Sequence, residues 1–437
     1  MPASPETAGL QGSAERAGLS AERLSSPEHV GLSAERLARI DRFFAERYVE
    51  PGRLPGALTL VWRRGETAHV GAVGWADRER GVRLRPDTVF RIYSMTKPLT
   101  SVAFMMLVEE GAVALDDPVS RFIPQWRDLG VYRSGFMETF ATARPDQPMR
   151  MVDLLRHTSG LTYGFQQRSN VDAAYRKLKI GELTTQGTLD GMIAALAGLP
   201  LEFSPGTAWN YSVSTDVLGW LVGRISGVPF EQFLQQRVLG PLGMDDTGFH
   251  VAPAHAGRFA ACYSAAPPSP GSEGGMVLQD DPSRSPYLQP PSFVSGGGGL
   301  VSTAADYLRF CRMILGGGAL DGVRLLSPKT VRLMGANHLP GGGDLAGLSR
   351  SLFSEAAYAG VGFGLGFATT VDVARTLIPG TAGDLFWGGA ASTFFWIDPR
   401  EALIVVFMTQ LLPSSAYPIR RELRTLVYSA MTESFER

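Results

Sequence analysis

Phe90-Arg91-Ile92-Tyr93-Ser94-Met95-Thr96-Lys97 leads through Pro98 into an apolar pattern that stops at Gly111. The spacing predicts a helix from Ser94 to Glu110, with Val102, Met105, Met106 and Val108 on one side and Gly111 as the stop signal. In such a helix Ser94 and Lys97 share a face of the first turn, so the ammonium can approach the hydroxyl. The helix N-terminus also favours negative charge on or beside Ser94. Pro98 is tolerated there because the first turn has no intrahelical N–H bonds to lose. Serine becomes a nucleophile only when a base takes its proton. Lysine can be that base if its pKa falls from ~10.4 toward neutrality, a shift that costs about 4–5 kcal/mol and has to come from burial and neighbouring groups. The chain is sparing with lysine: Lys97, Lys177, Lys179 and Lys329 are the only four among 41 Lys and Arg residues. Where a plain cation suffices this chain uses arginine, so a lysine marks a place where a proton has to leave. Only Lys97 has a serine three residues before it. Taken alone, the pattern also fits an N-cap serine followed by a surface lysine.

Two strands are predicted before this helix, Ala57 to Trp62 and Ala68 to Trp75, split by the turn-like Arg64-Gly65-Glu66. Ser33 is placed to cap an amphipathic helix carrying Leu37, Ile40, Phe43 and Phe44. The heptapeptide from Gly31 to Leu37 repeats the one from Gly18 to Leu24, but the first copy runs into Ser25-Ser26-Pro27 and stops. Residues 1–30 are therefore expected to form a flexible extension. After Gly111, helix signals at Leu189 to Leu196, Val213 to Ile225 and Phe230 to Val238 alternate with Pro- and Gly-rich loops, and 265–291 is expected to be mostly loop. A helix resumes at Ala304 to Ile314. Beyond a Gly-rich stretch near 335–360, strand signals return at Gly362 to Val371, Leu385 to Ile397 and Ala402 to Gln410, and a last helix runs from Ile419 to Met431. Strands far apart in sequence that flank a helical block most simply form one sheet. The expected organisation is an α/β domain built from 31–111 and 300–437, a mainly helical domain from 112–299, and a ligand groove between them.

Composition narrows the function classes. The chain has 437 residues, 44% hydrophobic and 19% charged, enough apolar material for a large packed core and too much for general disorder. Basic and acidic residues balance to a net charge of −1, which removes the electrostatic case for nucleic acid or an anionic membrane as partner. No apolar run approaches the ~18 residues of a membrane span. The N-terminus lacks a basic-then-apolar leader, so a cytoplasmic location is expected. Cys262 and Cys311 are too few for a disulfide framework or a metal cluster and are expected to be buried thiols. The six histidines are scattered, so neither a metal nor a cofactor is expected. Gly-x-Ser-x-Gly is absent, which excludes the nucleophile elbow of α/β-hydrolases. The run from Gly296 to Gly299 lacks the strand-then-lysine setting of a phosphate loop and reads as a flexible turn. His157, in Leu155-Arg156-His157-Thr158-Ser159-Gly160, reads as a structural, hydrogen-bonded histidine.

Two further segments offer partners for Ser94. Tyr211, in Trp209-Asn210-Tyr211-Ser212-Val213, stands at a predicted helix entrance after Ser204-Pro205-Gly206. A phenol held there near Lys97 is expected to become a phenolate able to accept the serine proton, although a packed tyrosine with a satisfied hydroxyl fits the same residues. Trp387-Gly388-Gly389-Ala390 is expected to start a strand pair, where glycines let backbone approach a ligand and an N–H face an oxyanion. A strand-edge bend beside a core tryptophan fits it too.

Taken in order, Phe90 to Lys97, His157-Thr158-Ser159-Gly160-Leu161, Tyr211-Ser212, Gly297 to Thr303 and Trp387-Gly388-Gly389 resemble the serine β-lactamase-like superfamily over about residues 33–430. Within it the chain most resembles the class C β-lactamase-like carboxylesterases, the family VIII esterases. The resemblance implies a β-lactamase/DD-peptidase-like α/β (α+β) fold: an antiparallel sheet flanked by helices beside an inserted, mainly helical domain. It implies Ser94 as the acylated nucleophile, Lys97 and Tyr211 as the proton-transfer pair, the N–H groups of Ser94 and Ala390 as oxyanion hole, and Trp387, Gly388 and Gly389 as substrate-binding residues. Two departures stand out. Where lactamases and peptidases carry Tyr-x-Asn, this chain has Tyr211-Ser212-Val213. Where they carry Lys/His-Thr/Ser-Gly, it has Trp387-Gly388-Gly389, which replaces a cation for a substrate carboxylate with an aromatic wall. Both favour a neutral, apolar ester over a carboxylate-bearing lactam or peptide. The expected activity is hydrolysis of short- to medium-chain carboxylic esters. Acyl transfer, weak lactam hydrolysis and a non-catalytic scaffold are the alternatives.

Overall fold

The structure, a computed structural model, describes residues 26–182, 187–266, 275–350 and 358–435. Its centre is a sheet built from both ends of the chain. Strands β1 (Gly56–Arg63), β2 (Glu66–Asp77) and β3 (Val82–Arg83) come from the first part. Strands β4 (Val361–Phe363), β5 (Ala368–Thr370), β6 (Leu385–Gly388), β7 (Phe394–Asp398) and β8 (Leu403–Met408) come from the last. The spatial order is β4-β5-β6-β7-β8-β1-β2-β3, and every pairing is antiparallel. The two chain halves meet where β1 pairs with β8, Leu58 opposite Met408 and Arg63 opposite Leu403.

Alternation along the strands divides the core between the two faces. Leu58, Leu60, Phe395, Ile404 and Val406 belong to the larger apolar cluster, which also takes in residues of α2 (Thr96–Glu109), α3 (Ser214–Ser226) and α4 (Ala304–Leu315). Ala57, Val61, Trp396, Val405 and Phe407 point the other way and pack with α1 (Ala34–Phe44) and α5 (Ile419–Ser429). A sheet covered on both faces needs apolar residues at consecutive positions, which is why β8 reads Leu-Ile-Val-Val-Phe-Met. Each such side chain contributes roughly 1.5–3 kcal/mol on burial.

Several expectations need correction. The helix carrying Lys97 is buried from Thr96 through Leu107, on all sides, because it packs against α3 inside the larger apolar cluster. The stretches Leu385 to Ile397 and Gly362 to Val371 each fold back into two strands. As a result Trp387 and Gly388 end β6, and Gly389 and Ala390 lie in the following turn instead of starting a strand pair. Ser392, with φ of +67°, turns the chain back toward β7. Within 265–291, Gly275–Asp280 is a strand paired with Cys262–Ala266. That pair is extended by a parallel contact with Leu411–Leu412, a partner about 150 residues away that local pattern does not reveal.

Regular structure is also found before Ser33. Ser33 does cap α1, accepting from the Arg36 N–H at 3.3 Å. Pro27–Val30 forms a further short turn with Val30 buried, and residues 1–25 lie outside the described residues. Arg63 explains the anchoring. Its buried guanidinium donates to the Val30 and Gly31 carbonyls at 2.9 Å each, to Glu401 Oε2 at 2.6 Å and to the Glu433 carbonyl at 2.7 Å. No helix among the described residues is long and apolar enough to cross a membrane.

Candidate active site

Ser94 sits in a short 3₁₀ turn, Tyr93–Met95, that leads directly into α2. Tyr93, just before it, has φ of +41°, a conformation that a bulky residue adopts only when its surroundings impose it. Those surroundings are a small cluster of Cys262, Ala391 and Leu412 around its buried ring. Ser94 faces a cleft of about 1460 Å³ that Tyr211, Trp387, Gly388, Gly389 and Ala390 also line. The structure thus brings all the sequence-predicted surface residues of the site to one cavity. Lys97 lies immediately behind them, 2% exposed.

The Lys97 ammonium donates to Ser94 Oγ at 3.3 Å, to Tyr163 Oη at 3.1 Å and to the Gly297 carbonyl at 2.6 Å. Burial pushes its pKa down to about 7, partly opposed by the Asp216 carboxylate. Burial raises the Tyr211 phenol pKa, against the opposing effect of hydrogen bonds with Ser94 and Trp387. The indole Nε1 of Trp387 donates to Tyr211 Oη at 3.4 Å, and the Lys97 Nζ lies 4.5 Å from the Tyr211 ring centroid. Lys97 is therefore the group whose protonation changes near neutrality, and the expectation of a Tyr211 phenolate is corrected: burial keeps Tyr211 a phenol, able to pass a proton on.

Two residues of this arrangement were not singled out from the sequence, and a third was quoted there without a role at the lysine. Tyr163, from the loop after His157, contacts the lysine directly. Asp216 is buried in the first turn of α3, where it accepts from Ser295 Oγ at 2.6 Å and the Gly297 N–H at 3.0 Å. Burial raises its carboxyl pKa and Lys97 counteracts that rise. An acid in a first helical turn reads from sequence as a helix-dipole partner, which hides its role beside the lysine. Gly297 is the third, and it corrects the reading of Gly296–Gly299 as a flexible turn. The Gly296 carbonyl accepts from Thr100 Oγ1 at 2.8 Å, and the Leu300 N–H donates to Thr96 Oγ1 at 3.2 Å, so the run is pinned along α2. A Cβ at Gly297 would stand 2.6 Å from Asp216 Oδ2, so any larger residue there would push this carboxylate from its place.

His157 is buried and structural in its contacts. Its Nδ1 lies 3.3 Å from Ser212 Oγ, and its ring meets those of Tyr211, Trp209 and Phe363 edge-on. Burial, then the Lys97 charge, hold its pKa well below 6.5, so it is neutral. Gly389 gives the cleft its other wall. A Cβ there would come 2.4 Å from the Ile92 carbonyl oxygen and 2.3 Å from Thr393 Oγ1. Only a glycine lets the end of β6 lie against the turn that carries Ser94, which sets Ala390 beside it on the cleft. Cys262 and Cys311 are free buried thiols, and no cluster of three or more His, Cys, Asp or Glu side chains suited to a metal occurs among the described residues.

Comparison with known proteins follows the same lines. Protein Rv1367c of Mycobacterium tuberculosis (strain ATCC 25618 / H37Rv) is 40% identical over 367 residues, 83% of this chain and 88% of that protein. Esterase EstB of Burkholderia gladioli is 33% identical over 414 residues, 90% of this chain and 95% of EstB. Among solved structures, EstCE1, described as a hydrolase with promiscuous acyltransferase activity, has a TM-score of 0.74 at 27% identity, covering 92% of this chain and 98% of EstCE1. Residues 41–429 match the family described as Beta-lactamase. With that match and the likeness to EstB along most of its length, the chain belongs to the β-lactamase family.

Proposed function

We propose that the protein is a serine carboxylesterase that hydrolyses short- to medium-chain esters through an acyl-Ser94 intermediate. The observation that carries this reading is the buried Lys97, held 3.3 Å from Ser94 Oγ with its pKa pushed down to about 7. A neutral amine there can accept the serine proton as Oγ bonds to the ester carbonyl carbon. The oxyanion that forms would face the N–H groups of Ser94 and Ala390. When the intermediate collapses, the C–O bond to the alcohol breaks, and the departing alkoxide takes the proton from Lys97 through Tyr211. Water then adds to the acyl-enzyme by the same steps, releasing the acid and restoring Ser94. The division into an α/β part (31–111 and 300–437) and an inserted block (112–299), with the site between them, belongs to this reading. No metal or cofactor enters the scheme.

Trp387 supports ester over lactam. It places an aromatic ring against Tyr211 and Phe363, at centroid distances of 5.4 and 5.2 Å, where lactamases and peptidases carry a cation. Acyl transfer is the second reading. It is favoured by a cleft of about 1460 Å³, more than a short ester fills, and by the transferase activity ascribed to EstCE1.

The test is initial rates on p-nitrophenyl esters from acetate through decanoate, with intact protein and with Ser94→Ala, beside a chromogenic cephalosporin. Turnover of the shorter esters that falls roughly a thousandfold or more in Ser94→Ala is the expected result. Equal activity in both proteins removes Ser94 as nucleophile, and a preference for the cephalosporin overturns the esterase reading. Adding a primary alcohol and measuring ester product separates transfer from hydrolysis.

A further inference from the structure

Lys97 has polar neighbours on three sides. Gly297 offers a carbonyl that can only accept, whereas Ser94 Oγ and Tyr163 Oη can each accept or donate. An ammonium satisfies all three with its three N–H bonds. A neutral amine has two N–H bonds and one lone pair, and Gly297 necessarily takes one N–H. The other N–H and the lone pair are then shared between Ser94 and Tyr163. Productive chemistry needs the lone pair on the Ser94 side, which requires an acceptor at Tyr163.

We propose that Tyr163 is a positioning residue for the proton transfer: by accepting the second N–H of neutral Lys97, it aims the amine lone pair at Ser94 Oγ. The inference rests on the esterase reading for its chemistry and on the lysine contacts alone for its geometry.

Two features suit Tyr163 to this role. Its ring is locked, stacked on Phe165 at a centroid distance of 4.9 Å and pressed against Gly181, where a Cβ would stand 2.7 Å from both Tyr163 Cδ1 and Val213 Cγ1. Burial, then the Asp216 charge, hold its pKa well above 10, so it stays a phenol and does not compete as a base. Position 213 is where relatives with a Tyr-x-Asn pattern carry an amide. Val213 has no polar group to offer, and the hydroxyl that reaches the lysine comes from the adjacent loop instead. The other titratable groups around Lys97 cannot replace it. Asp216 is engaged by Ser295 and Gly297, Tyr211 by Ser94 and Trp387, and His157 by Ser212.

The experiment compares intact protein with Tyr163→Phe, which deletes one oxygen and keeps the ring. On p-nitrophenyl butyrate, kcat is expected to fall about ten- to a hundredfold with KM within about twofold. The acid limb of the pH–rate profile should move to lower pH by about one unit, because the ammonium loses an acceptor. An independent readout is the ¹³C spectrum of lysine-labelled protein, where Lys97 is one of only four lysines. Its titration should move with the acid limb. If the spectrum moves but neither protein cleaves esters, the positioning role stands and the esterase reading falls. If esters are cleaved but kcat, acid limb and lysine titration are all unchanged, the role of Tyr163 falls alone. A loss of kcat with an unmoved titration also overturns it, since that is what general loosening would produce. Should Tyr163→Phe not fold, the more adaptable Tyr163→Met is read the same way.

Discussion

As the proposed base, Lys97 can act only in its neutral form, and burial lowers its pKa to about 7. Activity on a neutral ester should therefore be lost as pH falls below that value, roughly tenfold per pH unit, and level off above it. A profile of kcat/KM between about pH 5 and 9 checks this. An acid limb centred instead near pH 10 would mean a solvated lysine and a different base. His157 does not account for the limb, because burial and the Lys97 charge hold its own pKa well below 6.5. The sequence made Ser94 and Lys97 legible through their spacing and the rarity of lysine. Tyr163 and Asp216 were not legible, since what matters is their approach to a lysine 66 and about 120 positions away, which no local pattern encodes.

The turn after β6 shows how little freedom the cleft wall has. Replacing Gly389 with alanine sets a methyl group 2.4 Å from the Ile92 carbonyl, and backbone on both sides would have to part. That movement carries Ala390 away from Ser94. The expected outcome for Gly389→Ala is a loss of about a hundredfold in kcat with a smaller change in KM, read from Michaelis–Menten kinetics of the folded variant. An unchanged kcat would remove Ala390 from the oxyanion hole. Helices were the readable elements: α1, α4 and α5 begin where caps and periodicity place them. Hairpins that interrupt a continuous apolar run were not readable. In 385–397 every residue is compatible with a strand except for a run of small ones, and only the structure shows that this run is a turn. The Gly296–Gly299 run misled for the opposite reason. Gly296 and Gly297 lie close against the Thr215 carbonyl and Asp216, and contact of that kind resembles flexibility when only composition is visible.

Across the molecule, Arg63 ties segments near both chain ends, at Val30–Gly31 and Glu433, to the central strand pair. Its partner Glu401 is 3% exposed, so losing the guanidinium leaves a buried carboxylate without its cation. Arg63→Met is expected to cost about 3–5 kcal/mol of stability, measured by urea unfolding, while the site more than one strand away keeps its activity at low temperature. A loss under about 1 kcal/mol would mean that water replaces the arginine. That the sheet is shared between chain ends was legible from the order strands, helices, strands. The way the ends are clasped was not, because Arg63 reads from sequence as the polar end of a strand.

That clasp also bears on how the protein comes to fold. Its sheet closes when β1 finds β8, a partner some 345 residues later, so the pairing waits until almost the entire chain has been made. Yet the same ends touch, with the Ser33 N–H donating to the Ala430 carbonyl at 2.8 Å and the Thr432 N–H to the Gly31 carbonyl at 3.0 Å. A circular permutant opened at the exposed turn near Gly81, with residue 435 linked to residue 26, would carry β8, α5, α1 and β1 in direct succession. The slowest search in the native order would then become a short-range one, with the catalytic cleft unaltered.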